Sequence, residues 1–253
     1  TWMLELLLFR TGAVDIVRRA FHPWLPEPER SEMRRQPVWS ALIRTPEGNV
    51  LFDTGLHPVH VARPEATFGP LPDMKVVMTD EDGIVARLAS VGVRPEDVTV
   101  VVNSHLHFDH AGNNGAFPRA TFVVQRDHLA FARARRQSFP GVYWDIPALT
   151  YLPADGRTRV AKGVEVVPTP GHAAGHQSVV VDLAETGRVV LCGDAAFTRE
   201  NVECGETPAL DPEAAKASLA LIRSLVNDDL DRAFPSHDAS AWAAWHHAPA
   251  SYR

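Results

Sequence analysis

The run Val98–Val102, four valines in five residues, is followed almost at once by Ser104-His105-Leu106-His107-Phe108-Asp109-His110. A run that short and that apolar reads as a strand buried on both faces. Its end lies at the margin of a core, and four side chains able to hold a metal follow within six positions, His105 to His110. In extended or turning backbone, residues i and i+2 point the same way, so His105 and His107 can converge on one place. Asp109 and His110, at the turn that follows, face a second. Imidazole and carboxylate suit zinc and its first-row neighbours, with a coordination position left open for water. A lone histidine at a strand end is usually a cap or a surface residue. Three histidines and an aspartate after a buried strand are costly to assemble unless a cation satisfies them.

Further donors are then expected at other strand ends. Thr169-Pro170-Gly171-His172 follows Val164–Val167, Gly193-Asp194 follows Val189–Cys192, and Ser236-His237 follows Arg232–Phe234. All three repeat one arrangement, a donor at the carboxyl end of a strand beside small residues that allow close backbone approach. Open α/β sheets place their sites at that end. Asp53 also closes a strand. Its carboxylate could accept the free ring N–H of a ligating histidine, or cap the turn before Thr54-Gly55.

The opening segment Trp2–Phe9 is apolar with one acid and reads as a strand entering a core. Residues 20–37 carry Pro23, Pro26, Pro28 and Pro37 among many charges, which no helix or central strand tolerates, so a long loop is expected. Val38–Ile43 and Asn49–Asp53 flank Pro46-Glu47-Gly48 as a hairpin. Residues 57–78, rich in Pro, Gly and Phe, form a second irregular stretch, and loops this long are uncommon unless they bind something. Thr79-Asp80-Glu81-Asp82 caps a helix that carries Ile84, Val85, Leu88 and Val91 before Gly92 stops it. Thr121–Gln125, Ser178–Leu183 and Arg188–Cys192 are further strands. Asp127–Arg136 and Ala214–Val226 are helices, the second started by Asp211-Pro212-Glu213. The mixture indicates a layered α/β protein, and no repeat or linker divides it, so residues 1–253 are expected to form a single domain.

Composition excludes other classes. A net charge of −6, with no basic run longer than Arg34-Arg35 or Arg135-Arg136, lacks the footprint of a nucleic-acid binder. The apolar start Leu6-Leu7-Leu8-Phe9 is far short of a membrane span and lacks the flanks of a signal peptide. Cys192 and Cys204 are too few for a disulfide framework, which favours a reducing, cytoplasmic setting. The chain begins at Thr1 rather than Met, so an upstream segment could have been removed. Of 12 histidines, His22, His57, His60, His128, His246 and His247 have no spacing that argues for metal, and His176 reads as structural. Cys192 reads as a small buried hydrophobe.

The series His105, His107, Asp109, His110, His172, Asp194, His237 resembles the HxHxDH…H…D…H signature of the metallo-β-lactamase superfamily. The flanking words Phe52-Asp53-Thr54-Gly55, Gly175-His176-Gln177-Ser178 and Asp194-Ala195-Ala196-Phe197-Thr198-Arg199-Glu200-Asn201 are similar to those of the quorum-quenching N-acyl homoserine lactonases. The resemblance implies an αββα sandwich with two divalent ions at the edge of its sheets, zinc by preference, with cobalt, manganese or iron as options. His105, His107 and His172 would hold one ion and Asp109, His110 and His237 the other. Asp194 would bridge them beside a hydroxide that attacks the lactone carbonyl, and Asp109 would pass the proton to the leaving oxygen. The substrate is then a small acyl lactone, and a homodimer is left open. The alternative is a related hydrolase of another lactone, an aryl ester or a phosphotriester. A persulfide dioxygenase with one iron shares the first motif, but retention of Asp109, His110, Asp194 and His237 argues against it. Phe197 departs from the pattern, which has a tyrosine there whose hydroxyl contacts the substrate. Trp24 and Leu25 in the first loop and Phe68 in the second are expected to form an apolar groove for an acyl chain.

Overall fold

The computed structural model describes residues 3–253; Trp2, and with it the start of the first expected strand, lies outside them. One sheet holds β1 (Glu5–Val17), β2 (Met33–Thr45), β3 (Gly48–Phe52), β4 (Met74–Val77), β5 (Val98–Val102), β6 (Thr121–Gln125) and β7 (Thr150–Ala154), in the order β4-β1-β2-β3-β5-β6-β7. The other holds β8 (Thr158–Ala161), β9 (Val164–Pro168), β10 (Gln177–Leu183), β11 (Gly187–Gly193) and β12 (Ala233–Pro235), in the order β12-β11-β10-β9-β8. The helices are α1 (Val59–Ala62), α2 (Ile84–Ala89), α3 (Arg126–Arg133), α4 (Arg199–Cys204), α5 (Pro212–Leu225) and α6 (Ala239–Ala244).

The strands read as continuous apolar runs because both faces are covered. Leu6, Leu8, Ile43, Phe52 and Val102 meet Val179, Val181, Val189 and Leu191 between the sheets. Their neighbours Leu7, Leu42, Leu51 and Val101 turn the other way and pack under Ile84 and Leu88 of α2. On the second sheet Val180, Val190 and Cys192 pack under Leu219 and Ile222 of α5. The period-two alternation thus builds a helix–sheet–sheet–helix stack, the αββα sandwich expected. Burial explains why a valine run makes a strand here, at roughly 1.5–3 kcal/mol for each aliphatic side chain removed from water.

Several local expectations need correction. Residues 20–37 are not loop throughout, because β2 begins at Met33 and runs through Pro37. Pro37 is tolerated because β3 pairs only with Ala41–Thr45, leaving the earlier half of β2 free of a partner on that side. Residues 57–78 are not wholly irregular. They include α1, and Met74–Ile16 to Val77–Ala13 pairing adds β4 beside β1, which itself extends past Phe9 to Val17. The strands β7 and β8 and the short helices α4 and α6 were not expected; each has too few residues to show a period. The hairpin β2–β3, the strands β5, β6, β9, β10 and β11 and the helix start at Asp211-Pro212 fall where expected.

Leu191 is fully buried between the sheets, whereas Leu210 is 72% exposed. Leu191→Ala is expected to cost about 2–5 kcal/mol in denaturant unfolding, and Leu210→Ala less than about 0.5 kcal/mol.

Candidate metal centre

The connections that leave β5, β9, β11 and β12 meet at one edge of the two sheets, and glycines permit their approach. Gly171 has φ +136°, and a Cβ there would lie 2.5 Å from the Ala215 backbone of α5. Gly193 has φ +56°, and a Cβ would lie 2.7 Å from both His176 Nε2 and the Ser104 side chain. Neither position admits another residue without displacing the turn that carries His172 or Asp194.

The seven donors fall into two groups. His105 Nε2, His107 Nδ1 and His172 Nε2 lie 2.8–3.2 Å from one another, and Asp194 Oδ2 is 3.6 Å from His105 Nε2 and 3.3 Å from His172 Nε2. In the second group, Asp109 Oδ2 is 3.6 Å from His110 Nε2 and 3.5 Å from His237 Nε2. Asp194 Oδ1 is 3.1 Å from His110 Nε2 and 3.3 Å from His237 Nε2. One carboxylate therefore turns a different oxygen to each group.

These residues fit metal ions. Tetrahedral zinc with bonds of about 2.0–2.1 Å would set its nitrogens roughly 3.3 Å apart, close to the spacing of the three imidazoles. His110 Nε2 and Asp194 Oδ1 are buried and, though 3.1 Å apart, make no well-aligned hydrogen bond to each other or to any other group, a costly arrangement for protein alone. Three of the five outer ring nitrogens are occupied, those of His105, His110 and His237, which turns the other nitrogen of each ring inward. His237 Nδ1–H donates to the Pro37 carbonyl at 2.8 Å, and His110 Nδ1–H to Asp53 Oδ2 at 2.7 Å. The His107 ring stacks flat on Phe139 at 4.3 Å.

Asp53 ties the two groups together. It has φ +55°, a left-handed conformation that aspartate tolerates better than most residues. Its carboxylate accepts from Ser104 N–H at 2.7 Å, from Ser104 Oγ–H at 2.8 Å and from His110. Ser104 Oγ, its proton committed to Asp53, accepts His105 Nδ1–H at 3.0 Å. One buried carboxylate thus orients an imidazole in each group.

Burial, helped by the neighbouring histidines, holds the His105 and His172 imidazoles well below the usual histidine range, and burial draws His107 down. Burial acts the same way on His110 and His237, but Asp194 and Asp109 outweigh it and raise both. Burial opposes ionisation of Asp194, yet His110, His237 and His172 hold its carboxyl well below the usual carboxylate range. Burial raises Asp53 despite its three donors. The first group therefore offers neutral imidazoles, and the middle of the centre is anionic.

Phe197 lies over the centre, its ring 5.4 Å from that of His172 and 6.3 Å from that of His237. Phe21, which carries no sequence signal, stacks on Phe197 at 4.5 Å and on His237 at 5.6 Å. Phe68 meets Phe108 edge-on at 5.1 Å, and both line a cavity of about 230 Å³. Trp24 reaches Glu200 and the His22 ring instead, and neither it nor Leu25 lines that cavity. His128, at the start of α3, accepts from Leu106 N–H at 2.9 Å and donates to the Ala174 carbonyl, bracing the histidine turn; burial pulls its imidazole down to about 4. Cys192 faces α5 in the outer core, its thiol pushed up by burial to about 12.

An αββα sandwich with such a donor set at its edge is the build of a metal-dependent hydrolase. The profile of the metallo-beta-lactamase superfamily matches residues 33–237. An N-acyl homoserine lactonase of Bacillus thuringiensis is 38% identical over 207 residues, covering 80% of this chain and 81% of that one. The N-acyl homoserine lactonase AttM of Azorhizobium caulinodans is 33% identical over 236 residues, covering 85% and 87%. A solved structure of an N-acyl homoserine lactone hydrolase, with the product N-hexanoyl-L-homoserine bound at its catalytic metal center, has TM-score 0.89 and 31% identity over the whole of both chains. The chain belongs to the metallo-beta-lactamase superfamily.

In Asp53→Asn the amide oxygen must face the backbone N–H of Ser104, which cannot retreat. The NH2 then faces His110 Nδ1 and moves the ring proton to Nε2. Divalent metal affinity is expected to fall about 10- to 100-fold, with the His110 ¹⁵N shifts exchanging between the two ring positions.

Proposed function

We propose that the chain opens the lactone ring of N-acyl homoserine lactones, using two zinc-type ions. In this reading His105, His107 and His172 hold one ion, Asp109, His110 and His237 the other, and Asp194 serves both. The observation that carries it is the division of the Asp194 carboxylate, one oxygen toward each group. The activity for which the relatives are named supports the lactone as substrate. Ions bound there would supply an acidified water, its pKa lowered from about 15.7 toward 7, and a Lewis acid for the carbonyl oxygen.

The chain's own groups do the rest. Asp109 is the most exposed carboxylate of the centre, its side chain 13% accessible. It is placed to carry a proton to the ring oxygen when the acyl C–O bond breaks, leaving a carboxylate and a free hydroxyl. Phe197 and Phe21 wall the centre with apolar surface and exclude water. The cavity lined by Phe68 and Phe108 takes the acyl chain, since Phe108 stands between His107 and Asp109 in the chain. Asp53 is a positioning residue acting through His110 and Ser104. Cys192 and Cys204 are unpaired, which suits the cytoplasm, and no helix among the described residues is long and apolar enough to cross a membrane. The working unit is a single domain, alone or as a homodimer.

A second reading keeps the same machinery for another lactone, an aryl ester or a phosphotriester. Phe197 favours it, because the tyrosine of the related pattern would put a hydroxyl where this ring has none.

Purified protein is expected to carry about two zinc, cobalt or manganese equivalents per chain. His107→Ala and Asp194→Asn should abolish proton release on a short and a long acyl homoserine lactone; undiminished turnover in either would refute the assignment. If Phe197→Tyr restores a lost contact, lactone turnover should rise by up to roughly a hundredfold. A larger gain of wild type on aryl esters or phosphotriesters than on lactones would favour the second reading.

A further inference from the structure

The cavity beside the centre contains a polar relay that a passive acyl tunnel does not need. Its walls include Phe68, Phe108 and Met74; Glu65 and Lys75 are exposed, and the polar groups inside are His60 and Thr67. His60 Nδ1 lies 3.1 Å from the Pro64 carbonyl. A carbonyl only accepts, so Nδ1 carries the ring proton and Nε2 is a lone pair. Thr67 Oγ1, 2.9 Å from that Nε2, must then donate its single proton to it. The Tyr143 hydroxyl, 2.7 Å from the same Oγ1, must in turn donate to Thr67. Burial draws His60 below the usual histidine range, which keeps the ring neutral and the direction of the relay fixed. Every hydrogen is committed, and what Thr67 has left to offer is a lone pair.

We propose that Thr67 makes this cavity select acyl chains bearing a hydroxyl over acyl chains bearing a ketone. A chain hydroxyl can donate to the spare lone pair of Thr67 Oγ1, whereas a ketone oxygen at that position faces an acceptor whose proton is already committed and is left unsatisfied. The proposal rests on the reading of the protein as an acyl homoserine lactone hydrolase. The selecting position lies near the reacting carbonyl, because Phe108, which the His60 ring meets edge-on at 5.6 Å, adjoins Asp109 in the chain. The Tyr143 ring packs 5.3 Å from that of His57, which holds the far end of the relay.

The test compares kcat/KM of the metal-loaded protein on N-(3-hydroxyoctanoyl), N-(3-oxooctanoyl) and N-octanoyl homoserine lactone. The hydroxy substrate should exceed the oxo substrate by roughly tenfold. Thr67→Val frees both the Tyr143 proton, which a ketone can accept, and the His60 Nε2 lone pair, to which a hydroxyl can donate, so the ratio should fall to about one, while Thr67→Ser should retain the preference. Turnover of all three lactones within twofold of one another in the wild type overturns the inference and leaves the lactonase reading standing. So does a preference that survives in Thr67→Val. No turnover of any of the three overturns both.

Discussion

Burying the carboxylate of Asp194 is the step on which the rest of the centre depends. Alone in an apolar interior such a group would take up a proton, since the charged form loses its water. Here it sits among five imidazoles, and two of its neighbours, His110 and His237, have their outer nitrogens fixed as donors so that their inner nitrogens face it. Four of the histidines cannot spread apart because each is anchored elsewhere, His105 to Ser104, His110 to Asp53, His237 to Pro37 and His107 on Phe139. What remains is a set of inward ring nitrogens around an anion, and the fold has spent a left-handed aspartate and two position-specific glycines to hold it.

The two sides of that set are built differently. Over His172 and His237 lies an aromatic wall, Phe197 backed by Phe21, with no group able to donate a hydrogen bond. Transition-state charge on a reacting oxygen gets no help from that direction, where one donor in other hydrolases is worth about 3 kcal/mol. Beside Phe108 the surroundings are apolar too, but a directed hydrogen-bond relay crosses them. In the proposed reading chemistry and recognition are thereby separated: charge stabilisation would concentrate in the donor cluster, and substrate discrimination in the cavity.

Much of this was legible in the chain because the strongest signals were dense. A valine run followed by four donors leaves few structures that satisfy both, and His172, Asp194 and His237 repeat the same position at later strand ends. That Asp53, a carboxylate closing a strand, could accept from a ligating histidine was also readable, but its partners His110 and Ser104 were not. Other features carried no local signal. Pro37 inside β2 depends on which side of the strand lacks a partner, a property of the sheet and not of the sequence window. The strands β4, β7 and β8 are four or five residues long, and each is specified by the strand it pairs with. Phe21 and the relay through His60, Thr67 and Tyr143 are assembled from residues up to 216 and 83 positions apart, between Phe21 and His237 and between His60 and Tyr143. Such contacts exist only after the chain has closed.

His105, His107, Asp109 and His110 follow a strand of the first sheet; His172, Asp194 and His237 follow strands of the second. Each donor group therefore draws on both halves of the sandwich, and Pro37 and His237 add a hydrogen bond across the same seam. An ion held there would act as a rivet between two sheets that otherwise meet through apolar packing and a few hydrogen bonds such as Trp39 to Pro235 and Gln177 to Val123. Folding free energy then becomes a function of metal supply, rising by about 4 kcal/mol when free metal stands a thousandfold above its dissociation constant. With such ions bound, a chelator would act on this molecule in part as a denaturant, lowering the scaffold's margin of stability along with the reaction.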